Sequence, residues 1–366
     1  MITTTTAVDD GYTRVTGEGT RATESTTQST DGQTTTSNGV LSPQRDFVVS
    51  LINYHPGIPG YDLEYMLKAE YRDKLLNLEE YSLSVNLKGV VIQDNCVRIP
   101  ENVRNQNKPL IIQAVYTQDP SYTYQLTLEF KQWVKTFEDN FDSLNRDVWK
   151  ASDGFNRDEY IMANAANIQV KDGKMVLEPK KESYKGYEYT FAEISSIDSF
   201  YQLYGCFTSR VKMPEKGGIL SSFWLLPQGR YRYDNFYVRT DTDTPWRCSE
   251  IDIVEHWATS GSKIHIGEHY WDEQGNYLDA VSHKYDIPDF RAGEYYEYTC
   301  VWTKYAMYYY LDGVLVDITQ NIRPDNSVPA YIVYSTYQAV KDSWYGIMHD
   351  EDYGVTMNVD WVRVYK

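Results

Sequence analysis

The sequence predicts an all-β protein, on three observations. Short runs of alternating apolar and polar residues recur from about residue 44 to the C-terminus, turn-forming clusters separate them, and no helical periodicity is sustained beyond residue 135. At 366 residues, 42% of them hydrophobic, the chain is long enough for two domains and can bury a sizeable core.

Residues 1–43 are dominated by Thr, Ser, Gly, Asp and Gln, as in TESTTQSTDGQTTTSNG, and have little to bury, which predicts a disordered tail or stalk. Residues 44–134 carry SLSVNL, VVIQ, VRIP, LIIQAVYT and YTYQLTLEF between turn-like DN, NVRNQNKP and TQDPS, a spacing that suggests a small immunoglobulin-like β sandwich. The stretch YDLEYMLKAEYRDKLLNLEEY at 61–81 is compatible with helix or strand. Over residues 135–366 the runs NIQVKDGKMVLEP, GCFTSRVKM, ILSSFWLLP, SEIDIVEHW, KIHIGEHYW, YEYTCVWT, AMYYYLDGVLV, YIVYSTYQ and VTMNVDWVRVYK predict two antiparallel sheets packed face to face, a β jelly roll.

Lysine and arginine total 35 against 52 acidic residues, a net charge of −17 with no basic run. Nucleic acid and anionic membranes are thereby disfavoured as partners, and heavily sulfated polymers are repelled at long range. Cysteines 96, 206, 248 and 300 fit no metal-ligand spacing and are too few for a disulfide framework, so buried thiols are expected. No run reaches the length of a membrane span, and the opening MITTTTAVDDGYTRVTGEG lacks the apolar core of a signal peptide. A protein acting outside the cell would then have lost its signal or use another route.

The stretch SEIDIVEHW places Glu250, Asp252 and Glu255 in a run that otherwise reads as a buried strand. Side chains alternate along a strand, so Trp246, Cys248, Glu250 and Asp252 share one face while Ile251 and Ile253 point into the core. Glu255 joins the acid face only if one extra residue is accommodated, as a β-bulge does, and the same bulge carries Trp257 to that face and sends His256 away. The two glutamates are then about 13 Å apart at the backbone. On a concave sheet their side chains can lean to the roughly 5–5.5 Å that a retaining glycosidase uses. Three neighbouring carboxyls do not all ionise, so Glu255 is expected to hold its proton as general acid, with Glu250 the nucleophile and Asp252 modulating Glu250.

At these residues the chain resembles glycoside hydrolase family 16, the group that includes laminarinases, lichenases, agarases and carrageenases, through the bulged E-x-D-x-x-E signature. FEDNFDSLNRDVW at 137–149, YGCFTSRVKMPEKGGILSSFWLLP at 204–227 and VDWVRVYK at 359–366 extend the similarity over nearly all of 135–366. The resemblance implies a jelly roll, retaining endo-hydrolysis of a β-linked glucan or galactan, and the three acid roles. The chain departs from the W-P-x-x-G-E common in laminarinases, showing Pro245, Trp246, Arg247, Cys248, Ser249 and Glu250. It also carries the insert PQGRYRYDNFYVRTDTDT at 227–244, and YIVYSTYQ lacks an Asn often found there.

Further candidates come with plainer readings beside them. Trp246 and Trp257 are expected to stack on sugar, while Trp224 is cleft floor or core. His269 and His265 share a face beside the acids, His269 being the better candidate for a functional role over packing. Arg230, Arg232 and Arg239 are solvated loop residues or contacts to acidic sugars. Asp360 resembles an aspartate that some family members use for a structural calcium, although one aspartate does not define a site needing six to eight oxygens. No other cofactor is required. The expected partner is a polysaccharide met by a secreted or cell-surface monomer. The rival readings are a lectin-like jelly roll whose acids bind sugar or a hard cation, and an adhesion protein.

Overall fold

The computed structural model of the chain describes residues 4–9, 13–21 and 46–366, apart from 131, 229, 234–235, 240–247, 272–276, 321–327 and 342. The chain divides into two compact units, Met1–Trp133 and Val134–Lys366.

In the first unit, two sheets enclose a core that includes Val49, Leu63, Tyr65, Leu67, Val97, Leu110, Ile112, Tyr124 and Leu126. The segment at 61–81 resolves as strand: in Leu63–Tyr71 the residues Leu63, Tyr65, Leu67 and Ala69 are buried and their neighbours more exposed, a period of two that no helix would give. Part of the expected tail is also strand. Thr13–Arg21 pairs antiparallel with Tyr122–Phe130, and Thr4–Asp9 pairs with it in turn. Composition misreads these segments because ladder hydrogen bonds to an edge strand need only backbone groups, and threonine's branched side chain suits a strand. Residues 22–45 lie outside the described residues.

The second unit is a β jelly roll of two stacked sheets. An eight-stranded sheet runs Ile168–Lys171, Lys174–Leu177, Met357–Tyr365, Gly205–Lys212, Tyr295–Trp302, Ala306–Leu311, Val314–Gln320, with Lys135–Asp139 also on Met357–Tyr365. A nine-stranded sheet runs Lys150–Ala151, Tyr187–Ser195, Ala330–Gln338, Ile219–Pro227, Cys248–Trp257, Lys263–Trp271, Tyr277–Asp286, with Ile161–Ala163 and Lys180–Tyr184 also on Tyr187–Ser195. The pairing is antiparallel except for Ile161–Ala163, which runs parallel to Tyr187–Ser195.

Phe207, Val211, Cys300, Trp302, Val362 and Val364 from one sheet meet Ala192, Ile194, Phe223, Leu225, Ile251, Ile332 and Tyr334 from the other. The opening segment is pinned to this core: Phe141 and Trp149 are fully buried, and the Trp149 indole donates to Asp139 Oδ2 at 2.8 Å, which satisfies its one polar atom. Ile219–Pro227 and Ala330–Gln338, central strands paired on both edges, are buried along their whole length. Cys206 and Cys300 are buried, whereas Cys96, also expected inside, is half-buried; the Cys248 side chain is outside the described residues. Among the described residues no helix is long and apolar enough to cross a membrane.

Candidate active site

The acid-bearing strand Cys248–Trp257 lies between Ile219–Pro227 and Lys263–Trp271, and both ladders slip at the same place. On one side Trp224 pairs with Asp252 but Phe223 with Val254. On the other Asp252 pairs with Gly267 and Glu255 with His265. One residue is therefore extra between Asp252 and Glu255, the β-bulge that the acid spacing predicts. Ile251, Ile253 and Val254 all enter the core, and His256 is buried against Phe290 with ring centres 5.2 Å apart. Glu250, Asp252, Glu255 and Trp257 are left on the opposite face.

That face is built from cross-strand rows. Ser335, Ser222, Glu255 and His265 follow one another across four strands, and the Ser222 hydroxyl reaches Glu255 Oε1 at 3.5 Å, the long limit of a hydrogen bond. Asp252 Oδ2 is 3.2 Å from His269 Nε2, and His269 Nδ1 is 3.3 Å from the Tyr277 hydroxyl. Trp224, opposite Asp252, sits on this acid face and not in the intersheet core, its indole donating to Ser335 Oγ at 3.1 Å. It is only 4% exposed, a floor residue braced by the sheet.

The electrostatics follow from this crowding. Burial, with the charges of Asp252 and Glu250, pushes the Glu255 carboxyl up to about 8, against the smaller opposing pull of His269 and Arg157. His269 moves the other way: burial disfavours its charge, yet its hydrogen bond to Asp252 and the three carboxyls raise it to about 9. His265, facing no such partner, is lowered to about 4 by burial and by nearby Lys284, His256 and Lys263. At neutral pH the site thus holds a protonated carboxyl beside a carboxylate–imidazolium pair.

Several expected residues change role. Trp257, expected to stack on sugar, is 7% exposed: His265 lies over it at 3.7 Å between ring centres, and it packs among Leu220, Tyr337 and Tyr345. An open aromatic on this side is Trp344, 64% exposed and edge-on to Trp257 at 4.9 Å, which sequence reasoning passed over because a tryptophan in a loop carries no periodicity to mark it. Arg157 and Ser222 were missed for the same kind of reason, since only pairing across distant strands brings them here. Glu268, one residue from His269, points into the core, where it accepts from the Tyr309 hydroxyl at 2.6 Å and is raised to about 7 by burial. Trp246 and the side chains of Arg230, Arg232 and Arg239 lie outside the described residues.

Asp360 does not fit a calcium site. Its Oδ1 is 2.7 Å from Lys174 Nζ and its Oδ2 is bonded by Arg210, so two cations stand where a divalent ion would have to be. Glu250, Asp252 and His269 each present one ligand atom within 4.8 Å of the others. Two carboxylates and an imidazole would suit a borderline transition ion better than calcium.

A jelly roll bearing a bulged row of three carboxyls, one of them held protonated, is the framework of a glycoside hydrolase. The chain belongs to the glycosyl hydrolases family 16, whose model matches residues 155–363. It is 29% identical over 184 residues to the endo-1,3-1,4-beta-glycanase ExoK of Rhizobium meliloti, covering 50% of this chain and 61% of that protein. It is 24% identical over 245 residues to the clotting factor G alpha subunit of Tachypleus tridentatus, covering 64% of this chain and 34% of that one. The chain thus spans less than two thirds of either relative. Among solved structures, the laminarinase catalytic domain from Thermotoga maritima superposes with a TM-score of 0.53 at 20% identity, covering 64% of this chain and 99% of that domain.

A raised carboxyl pKa makes a stability prediction. Unfolded, Glu255 ionises near its ordinary 4.5, whereas folded it keeps its proton to about 8, so folding takes up a proton in that window and stability falls as pH rises through it. Glu255→Gln, neutral in both states, is expected to melt a few degrees higher at pH 7 than the parent and to lose the advantage near pH 4, as read by circular dichroism.

Proposed function

We propose that the chain is an endo-acting, retaining β-glycanase, with Glu255 as acid/base, Glu250 as nucleophile, and Asp252 holding His269 protonated beside them. The observation that carries this reading is the bulge, which puts all three carboxyls on one face and leaves Glu255 protonated near neutral pH. Glu255 gives its proton to the glycosidic oxygen as the bond to the departing chain breaks, and Glu250 attacks the anomeric carbon to form a glycosyl ester. A water then enters. Glu255, now a carboxylate, takes one of its protons while the oxygen attacks the same carbon and releases Glu250. Asp252 and His269 form a fixed ion pair that restrains the field at Glu250 in both half-reactions.

The names of the relatives, a 1,3-1,4-β-glycanase and a laminarinase, support a β-1,3- or mixed β-1,3/1,4-glucan as substrate. A β-galactan is the neighbouring choice. Such polymers are met outside the cell, which favours a secreted or surface protein acting as a monomer. The sugar-binding alternative has one observation in its favour, the clustered ligand atoms of Glu250, Asp252 and His269. Against it, an imidazole kept protonated by Asp252 offers an N–H where a metal needs a lone pair.

Reducing ends released from a panel of β-glucans and β-galactans separate these readings. The parent is expected to cleave at least one internally, Glu250→Gln to lose turnover by about a thousandfold or more while still binding the polymer, and chelators to change neither. Turnover by folded Glu250→Gln would overturn the nucleophile assignment. Proton NMR of the first product should show the β anomer, because two inversions at one carbon restore its configuration.

The pH profile of kcat/KM reads the acid. Its alkaline limb is expected near pH 8, where Glu255 loses its proton, and Asp252→Asn should move that limb to lower pH, since removing a neighbouring negative charge eases ionisation.

A further inference from the structure

We propose that Arg157 is a specificity-determining residue that binds an anionic substituent, a sulfate ester or a carboxylate, on the sugar seated next to the scissile bond. The inference rests on the hydrolase reading of the same face and adds a substrate class to it.

The loop carrying Arg157 is built to hold one conformation. Asn156 Nδ2 donates to the Asp158 carbonyl at 3.3 Å, and Asp158 Oδ1 accepts the backbone N–H groups of Tyr160 at 2.7 Å and Ile161 at 3.1 Å. The residues on either side of Arg157 thus close the loop and leave its side chain to project. The guanidinium lies 3.8 Å from the centre of the Tyr337 ring. Tyr337 is itself fixed, because its hydroxyl donates to the buried Glu193.

Tyr337, Leu220 and Trp257 form the cross-strand row next to Ser335, Ser222 and Glu255. Two residues along a strand separate these rows, about 7 Å. Arg157 therefore stands over the sheet one row from the acid, on the same side as the exposed Trp344.

The guanidinium is half-buried, and no acceptor among the described residues lies within hydrogen-bond distance of it. Arg72, Arg98, Arg210 and Arg363 each have a carboxylate partner, and Arg157 has none among the described residues. Nearby carboxylates are committed elsewhere: Asp158 to backbone groups, Glu159 to Lys341, Glu193 to Ser152 and Tyr337.

None of the Arg157 nitrogens is a buried donor left without a partner, so a ligand can take the place of water at the fork. A planar fork matches the paired oxygens of a sulfate or carboxylate, whereas a lone sugar hydroxyl would use one donor and none of the charge. The chain's net charge of −17 repels polyanions at a distance, but the screening length is about 8 Å at physiological ionic strength, so local charge governs once the sugar is bound. The combination suits a polymer bearing scattered acidic groups.

Matched oligosaccharides test this: neutral, sulfated and uronate-bearing forms of the same β-glucan and β-galactan backbones, assayed with the parent, Arg157→Gln and Arg157→Lys. The parent is expected to prefer one anionic form, which identifies sulfate or carboxylate. Arg157→Gln should lower kcat/KM for it by about tenfold or more while changing the neutral form less than about threefold, with Arg157→Lys between. The parent's preference should also shrink with added salt. Equal losses on neutral and anionic forms, or a parent with no preference, would overturn the proposal. If the parent cleaves no form, the hydrolase reading fails separately. Binding of the same oligosaccharides to the Glu250→Gln protein and to its Arg157→Gln double variant then decides whether Arg157 reads charge.

Discussion

Everything at the site depends on one extra residue between Asp252 and Glu255. The core takes Ile251, Ile253 and Val254 from this strand, two of them adjacent, and consecutive residues can share a face only where the pleat is interrupted. The bulge answers both requirements together. It buries one more apolar side chain and returns Glu255 to the face of Glu250 and Asp252. Neither neighbouring strand could keep its ladder if the slip were absent, because each is already in register with Asp252 on one side of it and with residues beyond Val254 on the other.

Crowding three carboxyls on one face works against stability, and the fold manages that cost by assigning different partners. Asp252 is matched by His269 at 3.2 Å, so its charge is balanced locally. Glu255 has only the distant Ser222 hydroxyl among the described hydrogen bonds, and burial holds it neutral. The same physics that makes Glu255 unfavourable as an ion suits it to the proposed role of acid, the usual conflict between a stable fold and a working site. Glu268, one residue from His269 but on the core side of the strand, is raised first by burial and further by Asp252 and Asp317, against the hydrogen bonds of Tyr309 and Thr319.

The outer parts of the face are supplied by segments remote in sequence. Tyr337 comes from Ala330–Gln338, Arg157 from the loop before Ile161–Ala163, and Trp344 from a loop near the C-terminus. Strands therefore carry the acids, while loops carry Arg157 and Trp344, so the rim of the face can vary without disturbing the acids. Asp360 illustrates the limits of motif transfer. Its place in VDWVRVYK resembles a calcium-site position, but Lys174 and Arg210 neutralise it with protein cations instead.

The sequence by itself determined the all-β class, the jelly roll of the second unit, and the acid face. Those follow from local periodicity: alternation sets which side chains share a face, and the spacing of Glu250, Asp252 and Glu255 requires a bulge whatever surrounds it. Local pattern also decided the fate of Ile251 and His256 correctly. It could not decide Trp257, because an aromatic ring on the acid face is open or covered according to what the neighbouring strand and loop place over it, here His265 and Leu220. Nor could it see strands in the threonine-rich N-terminus, whose pairing depends on an edge offered by Tyr122–Phe130. The His269–Asp252 pair, the Arg157 guanidinium stacked on Tyr337 and the cations around Asp360 were settled only by tertiary structure, since charge compensation depends on distances across strands that sequence order does not encode.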